Sequence, residues 1–139
     1  QPIIYGDGKQ QRCFSYIDDC LYCLNALAFQ DNVVGEVINI GPDEEPITIN
    51  ELAEACANET GLNLDPIHHK DRPKEVKLAV CSSDKARELL GYSTATNMRQ
   101  SVKKTAEYIR TRGTKKFQYH LPLEIINDQT PDTWKKKLI

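Results

Sequence analysis

In the stretch Tyr5-Gly6-Asp7-Gly8-Lys9-Gln10-Gln11-Arg12-Cys13-Phe14-Ser15-Tyr16-Ile17-Asp18-Asp19, two glycines separate a β-rich run from a second extended piece and a helix start. Pro2 to Tyr5 reads as a short strand, and Gly6-Asp7-Gly8 breaks it with a turn. Arg12 to Tyr16 continues extended. Asp18 or Asp19 then opens a helix to about Phe29, with Leu21, Leu24, Leu27 and Ala28 on one stripe. The turn-and-strand unit presents one arginine, Arg12. A second cationic stretch, Arg72-Pro73-Lys74-Glu75-Val76, presents another, and Ser82-Ser83-Asp84-Lys85-Ala86-Arg87-Glu88-Leu89-Leu90-Gly91-Tyr92 follows it. Two guanidinium forks brought together by folding suit a diphosphate, because Arg offers planar, bidentate donors to phosphate oxygens. Spacing alone does not bring them together.

Outward from these stretches, Glu36-Val37-Ile38-Asn39-Ile40-Gly41 is a compact β-rich run and predicts a buried strand. Thr48 with Glu51 three residues on is a capping box, and the helix it opens carries Leu52, Ala53, Cys56 and Ala57 and stops at Gly61. Asp65 to His68 predicts a short strand. Ser82 or Ser83 caps a helix to Leu90, ended by Gly91, and Asn97 or Met98 to Arg112 forms another with Val102, Ala106 and Ile109 inward. The fold class expected is small, helix-rich α+β with several short strands over residues 1–113. A tail of unassigned role covers 114–139; there Phe117 to Pro122 and the basic end Lys135-Lys136-Lys137 are expected to pack or extend along a surface.

At 139 residues the chain is one domain long. Its 40% apolar and 27% charged content fits a globular protein, and a net charge of −2 gives no bulk attraction for nucleic acid or an anionic membrane. No apolar run approaches a membrane span, and no secretory segment opens the chain. Starting at Gln1 and entering Ile3-Ile4-Tyr5 almost at once, it reads as the middle of a longer polypeptide. Five cysteines (Cys13, Cys20, Cys23, Cys56, Cys81), an odd number in mostly apolar periodic surroundings, read as reduced thiols of a cytoplasmic protein.

Other constellations carry less. Gly6-Asp7-Gly8 lacks the third glycine of a dinucleotide turn and opens no helix, and no helical Tyr-x-x-x-Lys pair offers an acid/base couple. Cys20-x-x-Cys23 lies in a helical stripe without a second ligand pair. His68 and His69, adjacent in a strand, point to opposite faces and chelate one ion poorly even with Asp71 nearby. No Ser-His-acid order suggests a nucleophilic triad. Taken alone, Arg12 and Arg72 read as surface arginines paired with an acid, for which Asp18, Asp19, Asp71 and Glu75 are all available.

The blocks Pro2-Ile3-Ile4-Tyr5-Gly6-Asp7-Gly8, Arg12-x-Phe14-x-Tyr16-Ile17-x-Asp19, Val37-Ile38-Asn39-Ile40-Gly41, Thr48-Ile49-x-Glu51-Leu52-Ala53, Arg72-Pro73-x-Glu75-Val76 and Ser83-Asp84-Lys85-Ala86-Arg87-x-Leu89-Leu90-Gly91-Tyr92 cover roughly residues 1–110. In this order they resemble the carboxyl-terminal, substrate-binding part of an extended short-chain dehydrogenase/reductase, the NAD-dependent nucleotide-sugar epimerase/dehydratase family. The resemblance implies a substrate domain appended to a Rossmann-type dinucleotide-binding domain absent from this chain. It places the backbone of Ile4 and Tyr5 near the nucleotide base, Arg12 and Arg72 on either side of the diphosphate, and Glu75 on the ribose hydroxyls. Many members carry Asp at that last position.

The resemblance further implies a nucleotide-sugar substrate, uridine being the commonest base, and NAD bound by the full-length parent, with no cofactor or metal held by this segment. The segment alone is then expected to be inactive, since epimerase, dehydratase or decarboxylase chemistry uses upstream groups. Implied partners are the missing dinucleotide-binding domain and a second copy of the parent in a homodimer, with no nucleic acid and no membrane. Phe14 is expected in the core, and Asn39 is given no ligand role. The alternative is a free-standing, non-catalytic interaction or oligomerisation module on the same scaffold.

Overall fold

In the computed structural model, which describes residues 1–116 and 126–137, the turn at Gly6-Asp7-Gly8 joins two very short strands, β1 (Ile3–Tyr5) and β2 (Gln11–Arg12). Then follow α1 (Ile17–Leu27), a 3-10 turn at Asp31–Val33, β3 (Ile47–Thr48), α2 (Ile49–Thr60), β4 (Ile67–His69), β5 (Leu78–Ala79), α3 (Asp84–Leu90), α4 (Met98–Arg112) and a last helical turn, α5 (Asp132–Lys135). This is the small α+β architecture that the pattern predicts. The strands form two patches. β1 runs parallel to β4, with Ile4 opposite His68 and Tyr5 opposite His69. β2 is central in a second patch, antiparallel to β3 and parallel to β5, which sets Arg12 opposite Ile47 and Ala79.

The helix ends follow local chemistry closely. Thr48 accepts the backbone N–H of Glu51 at 3.1 Å while the Glu51 carboxylate accepts that of Thr48 at 2.7 Å, so two orphan amides at the start of α2 are satisfied. Asn97 and Gln100 repeat the reciprocal box on α4. Gly61 ends α2 at φ +69°, a left-handed conformation that costs glycine little.

Two packed regions support these elements. Cys23, Ala26 and Val33 meet Ala86, Leu90 and Tyr92, with Ile38 and Ile40 against them, so that α1 and α3 share one core. α2 and α4 face each other with Leu52 and Cys56 opposite Met98, Val102 and Ala106 around a cavity of about 320 Å³. Asp19, at the start of α1, accepts the backbone N–H groups of Ala95 and Thr96 at 3.1 and 2.8 Å and ties the first region to the start of α4.

Several expectations differ. Residues 36–41 form no strand: Val37 is 85% exposed, whereas Ile38 and Ile40 are half-buried on the α1–α3 core. Alternation is kept, but among the described residues no strand pairs with this run, and an extended run needs a partner for its amides to become a ladder. On α1 the buried positions are Cys23 and Ala26, with Leu27 partly buried, whereas Leu21 and Leu24 are each 50% exposed. Small residues let Ala86 of α3 approach closely, and the longer leucines are turned out. Ile109 of α4 is exposed rather than inward. The second extended piece shrinks to Gln11–Arg12, and the strand expected over 65–68 is Ile67–His69, a shift set by pairing with β1. Of the cysteines, Cys23 is buried as a small hydrophobe, but Cys56 and Cys81 are exposed. Phe117 to Pro122 lie outside the described residues.

Candidate functional site

Three elements converge where β2 leaves the Gly6–Gly8 turn. β2 carries Arg12, the β4–β5 connection carries Arg72 and Glu75, and β1 carries Tyr5. The turn is shaped by close approach. Gly6 has φ +70°, and a Cβ there would stand 1.8 Å from the Asp71 carboxylate. At Gly8, also φ +70°, a Cβ would stand 1.9 Å from the Asn50 side chain, which itself donates to the carbonyl of Asp7 at 2.9 Å. The start of α2 and the β4–β5 connection thus both press on the turn.

The parallel pairing of β2 with β5 brings residues 67 positions apart together. Arg12 Nη2 lies 2.8 Å from Glu75 Oε1, and Arg72 Nε lies 2.9 Å from Glu75 Oε2. One carboxylate, its side chain only 12% exposed, therefore holds both guanidinium groups. Arg12 Nη1 also donates to the carbonyl of Gln11 at 2.6 Å, which fixes the fork's plane. Glu75 is placed by a turn in which its N–H donates to the Arg72 carbonyl at 3.3 Å, with Lys74 at φ 58°. The Arg72 guanidinium lies 5.0 Å above the centre of the Tyr5 ring, within cation–π range.

Two guanidinium groups against one carboxylate leave a local charge of +1. Among the described residues Arg72 engages Glu75 through Nε, and its two Nη groups keep their donors for a further acceptor. The arrangement is chemically suited to an anion with several oxygens.

Arg12, Arg72, Glu75 and Tyr5 are thus one cluster. Ile4 is not in it: it is buried beneath, on the β1–β4 pair. The Tyr5 carbonyl accepts the Gln10 side-chain amide at 3.1 Å. Gln10, 3% exposed, has an amide oxygen with no hydrogen-bond partner among the described residues, and sequence reasoning missed it because one glutamine in a polar turn carries no signal. Two of the other acids considered for the arginines are engaged elsewhere, Asp19 with Ala95 and Thr96 and Asp71 with Lys77 at 3.5 Å, and Asp18 is exposed on α1. Phe14 is half-buried beside the α2–α4 cavity. His68 Nδ1 lies 2.8 Å from the Gly6 carbonyl while His69 lies against the Tyr5 ring, so the two histidines do diverge. No group of three metal-ligating side chains occurs among the described residues.

The chain is 31% identical over 114 residues to UDP-N-acetyl-alpha-D-glucosaminuronate decarboxylase from Bacillus cytotoxicus, covering 78% of this chain and 35% of that protein. It is 31% identical over 107 residues to GDP-mannose 3,5-epimerase from Arabidopsis thaliana, covering 77% of this chain and 27% of that one. Among solved structures, UDP-glucuronic acid 4-epimerase from Bacillus cereus, in complex with UDP-glucuronic acid and NAD, superposes with a TM-score of 0.72 at 32% identity over 81% of this chain and 36% of the other. The chain belongs to the nucleotide-sugar epimerase/dehydratase family of extended short-chain dehydrogenases/reductases. It matches the carboxyl-terminal part of these relatives and spans about a third of their length. No family model matches the chain.

The Bacillus cereus epimerase is in complex with NAD, and the turn that most resembles a dinucleotide loop in this chain does not fit one. The space over Gly6 and Gly8 is filled by the Asp71 and Asn50 side chains, and the turn leads into β2 rather than into a helix.

Proposed function

We propose that this chain is the nucleotide-sugar-binding part of a cytoplasmic NAD-dependent epimerase, dehydratase or decarboxylase, holding a nucleoside diphosphate while another part of the polypeptide carries the cofactor and the redox chemistry. The observation that carries the reading is the convergence of Arg12 and Arg72 on Glu75, with donors to spare, in a chain of this family. UDP-sugars are the preferred substrates in this reading, since relatives on both sides of the comparison are named for them. Five free thiols fit a reducing compartment.

In this account Glu75 keeps the two forks parallel before the ligand arrives, which lowers the ordering cost of binding. The diphosphate accepts from Arg12 on one side and from Arg72 on the other, and the remaining lone pairs of Glu75 accept from the ribose hydroxyls. The sugar then projects away from this cluster. Binding energy gathered at the nucleotide, remote from the reacting carbons, serves to orient the sugar against groups outside this segment. The segment by itself performs no step of that reaction.

The test is titration calorimetry with UDP. Arg12→Ala or Arg72→Ala is expected to weaken binding by about 1.5–3 kcal/mol, the scale of lost charge-assisted hydrogen bonds. An unchanged dissociation constant in both variants removes the assignment.

A further inference from the structure

Among the described residues, the tail meets this cluster through hydrogen bonds to Tyr5 and lines a cavity beside Arg72. α5 is a single four-residue turn, too short to persist by itself, so its position depends on what it touches. Its Thr133 is 4% exposed, the most buried of the described tail residues. The Thr133 N–H donates to the Tyr5 hydroxyl at 3.2 Å, and the Thr133 and Tyr5 hydroxyls hydrogen-bond each other. Tyr5 is therefore held at its polar tip by the tail while its ring face carries the Arg72 guanidinium and His69 packs beside it.

We propose that residues 126–137 form a strap that positions Arg72 for the diphosphate, with Thr133 acting through Tyr5. This rests on the nucleotide-diphosphate reading above. Arg72 is a long side chain, 43% exposed, whose only fixed contacts among the described residues are the Glu75 carboxylate and the Tyr5 ring. A rotamer-rich cation of this kind loses entropy when it binds, and a platform that restricts it beforehand reduces that loss. The platform is only as fixed as the Tyr5 ring, and Thr133 holds the ring's hydroxyl.

A blocking role for the same segment fits the charges less well. Asp128 and Asp132 line a cavity of about 150 Å³ with His69, Lys70 and Arg72. Asp132, however, is neutralised within its own turn by Lys136 at 3.1 Å, which holds its carboxyl below the usual range. It does not stand in for a phosphate on Arg72.

The experiment titrates the full chain with UDP and with uridine, comparing Thr133→Val, Thr133→Ser and Tyr5→Phe. Thr133→Val removes the hydroxyl–hydroxyl bond while the backbone N–H of residue 133 stays on the Tyr5 oxygen. It is expected to weaken UDP by up to about threefold, the scale of one exposed cation–π contact, while leaving uridine unchanged. Tyr5→Phe removes both bonds and is expected to weaken UDP at least as much. Thr133→Ser keeps the contact and the original affinity. In an Arg72→Ala background, Thr133→Val has no further effect, because the group it positions is gone. Unchanged or tighter UDP binding in Thr133→Val, an equal loss for uridine, or full additivity with Arg72→Ala each overturns the strap. If Arg72→Ala leaves UDP unaffected the strap falls, and if Arg12→Ala also leaves it unaffected the diphosphate reading fails first.

Discussion

Two arginine clusters in this molecule look alike in sequence and differ in charge balance. At the β2 end, Arg12 and Arg72 share Glu75. At the start of α3, Arg87 alone faces three carboxylates, Asp43, Glu44 and Asp84, the last two at 2.7 and 3.0 Å. The first cluster has a surplus cation and unspent donors. The second has a surplus of acid, and its one guanidinium is surrounded. Asp43 also accepts the Ser83 N–H at 2.8 Å, so this second cluster fastens the 42–45 loop to the first turn of α3. Arg87, through its side-chain hydrogen bonds and aided by the Ser83 N–H, holds the Asp43 carboxyl down to about 2. A surplus of fixed donors marks a place for a ligand, and a saturated cation marks a structural tie.

The largest effect expected from this contrast is on UDP binding, the loss of about 1.5–3 kcal/mol in Arg12→Ala or Arg72→Ala, with Arg87→Ala matching the original chain. Calorimetry on the three variants side by side breaks the contrast if Arg87→Ala weakens binding as much as the other two.

Next in size is the turn that supports the binding cluster. Gly6→Ala places a side chain at φ +70° and displaces Asp71, whose carboxylate is the flexible end of an exposed side chain. The backbone conformation therefore dominates, and a stability loss of about 1 kcal/mol is expected by chemical denaturation. Thr48→Ala removes the α2 cap at a similar cost, about 1 kcal/mol. Full stability in Gly6→Ala contradicts the left-handed conformation described for the turn.

The structural tie is sharpened by pH. The Asp43 value in the folded chain lies below its ordinary 3.8, so the tie contributes in full above that value and is lost as pH falls from 3.8 through about 2. Thermal unfolding across this window should show a steeper fall for the original chain than for Asp43→Asn. Identical slopes contradict the tie.

The same contrast explains what was legible in the sequence. Thr48 with Glu51 and the helix-ending Gly61 and Gly91 were readable because each acts within one helical turn of its own position. The α1 face was not: a stripe of leucines reads as core, yet Cys23 and Ala26 face inward because Ala86 and Leu90 of α3 approach there. The run at 36–41 kept its alternation without a strand paired to it among the described residues, and no local signal reports a missing neighbour. For the site, Arg12, Arg72 and Glu75 were legible as candidates from the family blocks, but their meeting depends on the β2–β5 register, a contact across more than 60 residues. Thr133 on Tyr5, 128 residues apart, carried no sequence signal at all.

The most direct test of the central claim is the affinity of the unmodified chain for UDP against uridine, measured by calorimetry in one buffer. The account predicts that UDP binds at least about tenfold more tightly, because only UDP offers phosphate oxygens to Arg12 and Arg72. Equal affinity for the two ligands would contradict it.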